Sequence, residues 1–427
     1  MIRMRERPVS GGVLSTAAIS CRACQASLHR LVIDLGMTPL ANSYLSEADL
    51  ARPEPRYPLR VRVCEQCWLV QLDEVADASG IFADEYAYFS SFSDSWLRHA
   101  QQYVDLVVER FGLGPHSQVV EVASNDGYLL RNFVTRRIPV LGIEPARNVA
   151  TAAIAAGIPT RVAFFNVATA TQLIEEGLRA DLVIGNNVLA HVPELNEFVR
   201  ALAMLLQRDG VITLEFPHLA RLLSECQFDT IYHEHFSYFS LLSVERVLAA
   251  QELTVFDVDE LTTHGGSLRL FVRHAHDRSK PVEARVPALR ERERAAGLEE
   301  LATYASFERS VDRCRERLRR FLVTAKQEGK YVAAYGAPAK GNTLLNYCGI
   351  GPDLVAFTVD RNPHKQNCYL PGTRIPIRHP EHLQEARPDY LLLLPWNLRD
   401  EIMEQVSFIR SWGGKFVVPI PEVAVHH

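Results

Sequence analysis

Apolar runs with the character of buried strands alternate with helix-like segments in two separate stretches of the chain, and this alternation limits the possible folds. The runs lie at 118–122, 140–143, 181–184 and 210–215 in the first stretch, and at 331–335, 354–359, 390–394 and 415–418 in the second. Such alternation is typical of parallel sheets covered by helices. The sequence therefore predicts an α/β protein with two Rossmann-like domains.

The chain is long enough to hold more than one core. It has 427 residues, of which 47% are hydrophobic, whereas a single core usually stops growing at roughly 250–300 residues. We expect three unequal domains, covering 1–80, 81–275 and 276–427. The last of these begins with the charge-dense stretch 280–330, where apolar residues recur at helical spacing and predict long amphipathic helices.

Net charge and apolar runs argue against two classes of partner. The formal net charge is −5, so the chain lacks the overall basic field that favours nucleic acid. Its apolar runs are far shorter than the roughly 20 residues that span a bilayer, and its first residues are too polar for a secretion signal. We expect a cytoplasmic protein with no nucleic-acid or membrane partner. The sequence does not indicate an oligomeric state.

Two pairs of cysteines lie in the first predicted domain, Cys21 with Cys24 and Cys64 with Cys67. Four thiolates can complete the tetrahedral set that zinc prefers, and a closed set of this kind is structural. Prolines leave this segment little core of its own, so a metal would supply folding energy. Unligated or redox-active cysteines are the alternative, because the 39 residues between the pairs exceed a common spacing.

A ligand-binding turn is predicted at the end of the first central strand, in the segment 119–128. Small residues there would let a nucleotide-like ligand approach the backbone. Glu144 ends the next strand, 17 residues after Gly127, where a carboxylate can accept hydrogen bonds from ribose hydroxyls. Ala123 and Asn125 replace the glycines of a dinucleotide fingerprint, so an ordinary strand-to-helix turn is the alternative.

The strand 181–184 continues into Asn187 and His191. Ligands of open α/β sheets lie at the carboxyl ends of the strands, so both side chains are expected to border one crevice. His191 could equally cap a helix or lie in the core.

The segment 232–235 reads Tyr-His-Glu-His and follows the last of these strands. A loop here would overhang the crevice. Histidine is suited to acid–base chemistry near neutral pH, and a tyrosine hydroxyl can stabilise a developing oxyanion. A metal site, or a loop held only by its own hydrogen bonds, is the alternative.

Two further segments carry polar groups that could bind a ligand. Tyr86 and Tyr88 lie in an aromatic-rich connection and could reach the crevice, although such residues often only fill a domain interface. In the second alternation, the turn 334–343 offers glycines, Lys340 and hydroxyls suited to phosphate, and 360–366 leaves the next strand. A structural turn with an exposed lysine is the alternative.

Taken in order, these motifs resemble those of the sugar C-methyltransferases that act on TDP-linked 4-keto deoxyhexoses in antibiotic pathways. The resemblance covers almost the whole chain. It rests on the paired cysteines and on the segments 86–91 (YAYFSS), 121–127 (EVASNDG), 232–235 (YHEH), 335–341 (YGAPAKG) and 360–366 (DRNPHKQ). It implies an N-terminal zinc-binding module, a central S-adenosylmethionine-dependent methyltransferase domain, and a C-terminal Rossmann-like domain that helps to hold the nucleotide sugar.

The resemblance also implies roles for individual residues. The cofactor site comprises Glu121, Ala123, Ser124, Asn125, Gly127, Tyr128, Glu144 and Asn187. The catalytic residues are His235, Tyr232, Glu234, His191 and Tyr86. The sugar nucleotide is contacted by Tyr88, Ser90, Lys340, Asn342 and Asp360.

The chemistry implied is the formation of a new carbon–carbon bond. A ketone at C4 acidifies the hydrogen on C3, and His235 is the hypothesised base that forms the enolate, with Tyr232 and Glu234 orienting it or polarising the ketone. Three alternatives stay open: methylation at C5, a nicotinamide-dependent oxidoreductase, and a zinc-binding protein whose enzyme domain has decayed. The lack of a glycine-rich dinucleotide fingerprint argues against the oxidoreductase.

Overall fold

The computed structural model describes residues 19–73 and 89–427, so Tyr86 and Tyr88 lie outside the described residues. Strands of the described residues form three sheets, with four, seven and six strands. The predicted α/β class, with two Rossmann-like sheets behind an N-terminal module, is confirmed.

The N-terminal sheet is antiparallel and contains one strand from far along the chain. Its strands are β1 (Arg30–Thr38), β2 (Tyr57–Val63), β3 (Val70–Leu72) and β9 (Ser237–Tyr238), in that order. The two residues of β9 pair with β3. The chain therefore enters the N-terminal sheet one residue after the loop 232–235, and this pairing anchors the loop.

The central sheet has the order β10-β11-β8-β7-β4-β5-β6. Its strands are β4 (Val119–Val122), β5 (Val140–Ile143), β6 (Thr160–Arg161), β7 (Ala180–Asn186), β8 (Leu206–Pro217), β10 (Leu253–Leu261) and β11 (Ser267–His274). Strands β4 to β8 are parallel, and β10 and β11 form an antiparallel edge. Strand β8 begins earlier than its apolar run, because pairing with β7 extends it to Leu206.

Helices cover both faces of this sheet. They are α1 (Asp94–Phe111), α2 (Arg131–Val134), α3 (Arg147–Ala155), α4 (Val167–Glu175), α5 (Leu195–Leu205), α6 (Leu219–Ser224) and α7 (Leu241–Ala249). Helix α1 begins after Ser93, whose hydroxyl accepts a hydrogen bond from the Trp96 amide, and ends at Gly112 with a φ of 62°. Its buried face includes Tyr103 and Val107, four residues apart, so packing selects the helical register.

The C-terminal domain is preceded by the predicted amphipathic helices, α8 (Arg285–Ala295) and α9 (Leu301–Gln327). Its sheet has the order β14-β13-β12-β15-β16-β17, and only β17 is antiparallel. The strands are β12 (Val332–Tyr335), β13 (Thr358–Val359), β14 (Ile377–Arg378), β15 (Tyr390–Leu393), β16 (Lys415–Val418) and β17 (Ala424–His426). The remaining helices are α10 (Ala339–Cys348), α11 (His382–Ala386) and α12 (Arg399–Gln405).

One hydrophobic cluster joins the N-terminal sheet to the C-terminal domain. It includes Val70 of β3, Ile231 and Phe236 on either side of the loop 232–235, and Leu344 of α10. Burial of this shared apolar surface fixes the modules around the loop. Where one domain ends and the next begins stays a prediction. In the described part of the chain, no helix is long and apolar enough to cross a bilayer.

Candidate active site

The paired cysteines come together at one end of the N-terminal sheet. The four Sγ atoms lie within 4.8 Å of one another, with 3.4 Å between Cys21 and Cys67 and 3.5 Å between Cys24 and Cys64. Sulfurs about 2.3 Å from one tetrahedral zinc are about 3.8 Å apart, so the cluster fits one ion. Gln71 donates a hydrogen bond of 3.2 Å to the Sγ atom of Cys21 and orients it.

Cys67→Ser is expected to remove zinc and to lower the melting temperature, because metal binding supplies folding energy to small modules. Atomic absorption should give close to one zinc per chain in the wild type and close to none in the variant. The control is Cys368→Ser, at a half-buried cysteine of the C-terminal domain. A Cys67→Ser protein with full zinc and an unchanged melting temperature would contradict the assignment.

The turn after β4 has a left-handed backbone conformation, which residues other than glycine rarely adopt. Ala123, Asn125 and Gly127 have φ values of 57°, 51° and 75°. The amides of Asn125 and Ala146 donate hydrogen bonds of 2.9 Å to the two carboxylate oxygens of Glu144. Glu144 is thus held beside the turn, at the carboxyl end of β5, where a ribose is expected.

Several buried polar atoms at this edge of the sheet have no hydrogen-bond partner among the described residues. They include Oε2 of Glu121, Oδ1 of Asp126 and both amide atoms of Asn186. Unpartnered buried polar atoms are rare in folded proteins. Burial, reinforced by Glu144 and Asp126, raises the pKa of Glu121 well above its usual value. The oxygen acceptors among them, Oδ1 of Asp126 and Oδ1 of Asn186, fit the ammonium and ribose hydroxyls of S-adenosylmethionine.

Three other predicted cofactor-site or substrate residues surround the same turn. Ser90 and Asn125 are joined by a 2.8 Å hydrogen bond from the Ser90 amide to Oδ1 of Asn125, which lays the segment after residue 88 over the turn. Ser124 is buried against β5, where a side chain at Gly142 would collide with its hydroxyl. Tyr128 is buried and stacks on Trp96, with 6.0 Å between the ring centroids.

Tyr232 and His235 form a hydrogen-bonded pair. Nδ1 of His235 lies 2.8 Å from the carbonyl oxygen of Thr230. A carbonyl only accepts, so Nδ1 carries the proton and Nε2 is an acceptor. The Tyr232 hydroxyl lies 2.7 Å from Nε2 and therefore donates to it. Burial, together with His191 nearby, lowers the pKa of His235 well below its usual value, so the ring is neutral.

His191 and Asn187 border the same crevice, as predicted from the strand that precedes them. The His191 ring packs edge-on against His235, with 4.7 Å between the centroids. Burial lowers the pKa of His191 to about 4. Both histidines are therefore neutral at physiological pH, and both remain half-buried rather than sealed in the core.

Glu234 faces away from the Tyr232–His235 pair. Its Oε1 atom accepts a hydrogen bond of 2.6 Å from Nδ2 of Asn42, in the N-terminal module. Nearby, the Tyr44 hydroxyl and the Lys365 ammonium both donate to the carbonyl oxygen of Ala337, at 2.6 Å and 2.9 Å. Burial raises the pKa of Glu234 to about 7. The three modules meet at this buried polar cluster.

Glu234→Gln should change how stability depends on pH. The pKa is raised on folding, so between about pH 4.5 and 7 the folded protein binds more protons than the unfolded chain, and stability declines as pH rises. The variant lacks this decline and should gain up to about 3 kcal/mol over the wild type between about pH 5 and 8. Urea denaturation at both pH values measures this, with Glu422→Gln, at an exposed glutamate, as the control. An equal difference at both pH values would contradict the prediction.

Sequence reasoning missed His264, which the turn between β10 and β11 brings into the crevice. Its Nε2 atom lies 3.3 Å from Nδ2 of Asn187, and its ring packs edge-on against Trp96 at 5.1 Å. Burial, together with the charge of Lys340, lowers the pKa of His264 to about 4. Its φ of 54° before the glycine pair 265–266 marks a tight hairpin turn, and that glycine pair was the available signal.

The predicted sugar-nucleotide residues of the C-terminal domain divide between two places. Nδ2 of Asn342 donates to the carbonyl oxygen of Ala41 at 2.5 Å, and Oδ2 of Asp360 accepts from the Ala337 amide at 2.7 Å. The first hydrogen bond crosses to the N-terminal module, and the second holds Ala337, whose carbonyl oxygen accepts from Tyr44 of that module. Lys340 instead donates from its Nζ atom to Oδ1 of Asn397 in the same domain, at 2.7 Å, and interacts electrostatically with Asp229 of the central domain.

Comparisons with known families cover most of the chain. The model of a methyltransferase domain matches residues 96–258, that of a C-methyltransferase C-terminal domain matches 262–421, and that of a zinc binding domain matches 21–82. A curated relative, the C-methyltransferase NovU of Streptomyces niveus, is 39% identical over 405 residues, which is 95% of this chain and 96% of the relative.

Among solved structures, the magnesium protoporphyrin IX methyltransferase of Synechocystis PCC 6803 with bound SAM is similar over 46% of this chain and 88% of its own, at 19% identity and a TM-score of 0.32. A methyltransferase of Clostridium acetobutylicum is similar over 42% and 92%, at 11% identity and a TM-score of 0.34. These scores add nothing to the assignment, which rests on the family matches and the relative. The chain belongs to the sugar C-methyltransferase family, with S-adenosylmethionine as its cofactor and zinc in its N-terminal module.

Proposed function

We propose that the protein methylates C3 of a TDP-linked 4-keto deoxyhexose. The observation that carries the proposal is the neutral Tyr232–His235 pair, which lies with Asn187 and His191 at the edge of the crevice beside the cofactor turn. Methylation of carbon requires a carbon nucleophile, and a carbon next to a ketone becomes one when a base removes its proton. A neutral imidazole is the group suited to this task.

The cofactor is held by the turn after β4 and by the acids around it. Glu144 would accept hydrogen bonds from the ribose, Asp126 offers a buried carboxylate for a cationic group, and Glu121, whose raised pKa favours the protonated form, offers a buried carboxyl group for hydrogen bonding. When bound, S-adenosylmethionine supplies an electrophilic methyl group to the nucleophilic carbon. Asn187, with its φ of 53° at the end of β7, would form the rim between cofactor and substrate.

The proton path follows from the hydrogen bonds of the pair. The Tyr232 hydroxyl donates a hydrogen bond to Nε2 of His235. When the Tyr232 oxygen takes a proton from the substrate carbon, it passes its own hydroxyl proton to Nε2. His235 is the final acceptor, and Nδ1 keeps its own proton on the carbonyl of Thr230. The negative charge that forms on the substrate offsets the positive charge on the imidazolium.

The nucleotide is proposed to lie along the C-terminal domain. The turn 336–341 and the segment 360–366 face the N-terminal module across the cluster of Tyr44, Ala337 and Lys365. Ser90, Asn342 and Asp360 stay predicted contacts of the sugar nucleotide, as do Tyr86 and Tyr88 beyond the described residues. The cluster places polar donors next to Glu234, which supports a role for Glu234 in positioning the sugar.

Mass spectrometry tests the substrate. Purified protein is incubated with S-adenosylmethionine labelled in the methyl group and with a TDP-4-keto-2,6-dideoxyhexose, in parallel with its 3-amino counterpart. The proposal predicts that one of the sugars gains a single labelled methyl group. If neither gains label while calorimetry shows that the protein binds S-adenosylmethionine, the proposed substrate is wrong.

A further inference from the structure

Lys340 belongs to the C-terminal domain but is held against the loop 232–235. It lies in the first turn of α10, three residues before Thr343 and so on the same face of the helix. The Thr343 hydroxyl donates a hydrogen bond of 2.9 Å to the carbonyl oxygen of Ile231, the residue directly before Tyr232. This contact fixes α10, and with it Lys340, beside the Tyr232–His235 pair.

The ammonium of Lys340 has few partners in the chain. Its Nζ atom donates to Oδ1 of Asn397 at 2.7 Å and lies 4.7 Å from the ring centroid of Trp396. Among the described residues Lys340 forms no ion pair, and Asp229 is the acid whose charge favours its ammonium. Oδ2 of Asp229 accepts a hydrogen bond of 2.7 Å from the Trp396 indole, while its Oδ1 atom has no hydrogen-bond partner among the described residues. An ammonium has three donors, so two of them are available to a ligand.

Lys340 shares its surroundings with the histidines of the crevice. Its positive charge contributes to the lowered pKa values of His235 and His264. Trp396, beneath the ammonium, packs against the turn that carries His264: a Cβ atom at Gly265 would lie 2.6 Å from the Trp396 ring. Lys340, His235 and His264 are each half-buried, so each keeps part of its side chain accessible.

A charged donor at this place matches a requirement of the proposed reaction. His235 is a weak base, since its pKa is low, and removal of a proton from carbon moves negative charge onto the ketone oxygen. Unless that oxygen is stabilised, a weak base cannot form the enolate at a useful rate. The amino end of α10 adds a positive potential at the same point, so an anionic oxygen of the substrate is favoured there in addition to the carboxyl group of Asp229.

We infer that the Lys340 ammonium binds the ketone oxygen of the substrate and donates a hydrogen bond to the enolate oxygen as it forms. The C–H bonding pair becomes the new carbon–carbon double bond, the carbonyl π electrons move to oxygen, and the proton goes to His235 through Tyr232. Lys340 stays protonated throughout. The C-terminal domain then completes the catalytic site in addition to holding nucleotide, and this inference rests on the proposed function.

A phosphate of the sugar nucleotide could supply the anionic oxygen instead of the ketone. The following experiment distinguishes the ketone from the phosphate as the partner of Lys340. Wild type, Lys340→Gln and Lys340→Arg are saturated with S-adenosylhomocysteine and a TDP-4-keto-2,6-dideoxyhexose in deuterium oxide. NMR follows the exchange of the C3 hydrogen, and calorimetry gives the affinities for TDP and S-adenosylhomocysteine. Lys326→Gln, at an exposed lysine of α9, is the control.

Lys340→Gln is expected to slow exchange at saturation by about 10²-fold or more, with less than a twofold change in either affinity. Lys340→Arg should slow exchange less, because it keeps the positive charge. Lys326→Gln should exchange the C3 hydrogen at the wild-type rate. Normal exchange in Lys340→Gln together with weakened TDP binding would assign the ammonium to phosphate and overturn the inference. A wild type that neither methylates nor exchanges the sugar would instead overturn the proposed function, and the inference with it.

Discussion

His235→Asn is expected to lower kcat for methylation by about 10²- to 10⁴-fold. The asparagine amide can still donate to the carbonyl of Thr230, as Nδ1 does, while the acceptor Nε2 is lost. The loop therefore keeps its anchor and loses only the group that receives the proton. Steady-state kinetics with saturating sugar nucleotide measures the loss, and calorimetry should show unchanged binding of S-adenosylmethionine.

Two further variants make this prediction specific. Tyr232→Phe removes the hydroxyl that donates to Nε2 and should lower kcat to a similar extent, since the two groups act as one unit. His233→Asn is the matched control, because His233 faces the carbonyl of Pro58 in the N-terminal module and not the crevice. Full turnover and normal exchange of the C3 hydrogen in His235→Asn would show that His235 is not the base.

Glu144→Gln is expected to weaken binding of S-adenosylmethionine by about 30- to 150-fold. The carboxylate is ideally placed to accept from ribose hydroxyls, and hydrogen bonds to a charged group contribute about 2 to 3 kcal/mol in total at such a site. The substitution also replaces one of the two carboxylate oxygens that accept hydrogen bonds from the backbone amides of the turn. Calorimetry with S-adenosylhomocysteine measures the change in Kd.

The control for this variant is Glu175→Gln, on the surface of α4. It carries the same change of charge far from the turn and should leave the Kd within twofold of the wild type. If Glu144→Gln binds as tightly as the wild type, the cofactor's ribose does not lie at the end of β5, and the predicted arrangement of the cofactor site is wrong.

Features that depend on nearby residues were predictable from sequence. The cysteine pairs each place two thiolates on one turn, so only the meeting of the two turns depended on the fold. Tyr232 and His235 are close in sequence, and a local turn, in which the His235 amide donates to the carbonyl of Tyr232, brings them together. Strand alternation likewise sufficed for the central parallel strands of both sheets, because each of these buried strands carries its own apolar run, whereas short strands such as β6 and β14 carry none.

Features that depend on distant residues were not predictable in the same way. Glu234 adjoins Tyr232 and His235 in sequence, yet its partner is Asn42, 192 positions away. Strand β9 has two residues, too few to show alternation, and it exists because β3 offers an edge for pairing. A single sequence carries no signal for such contacts, since packing between modules decides them.

Lys340 and His264 illustrate the same limit at the site itself. The glycine-rich turn around Lys340 suggested phosphate binding. In the structure, however, α10 packs against the residue before the loop 232–235, and the Lys340 ammonium donates to Asn397. His264 lies in the hairpin between β10 and β11, where the glycine pair 265–266 indicates a tight turn but does not indicate that the turn reaches the ligand site. Only the arrangement of the three modules brings these two side chains to the carboxyl ends of the central strands.

The central claim is tested most directly by the position of the transferred methyl group. The protein is incubated with S-adenosylmethionine carrying a ¹³C methyl group and with a TDP-4-keto-2,6-dideoxyhexose, and carbon–proton correlation NMR identifies the atom bonded to the label. The account predicts a methyl carbon bonded to C3, next to the ketone. A label on oxygen, or on C5, would contradict it.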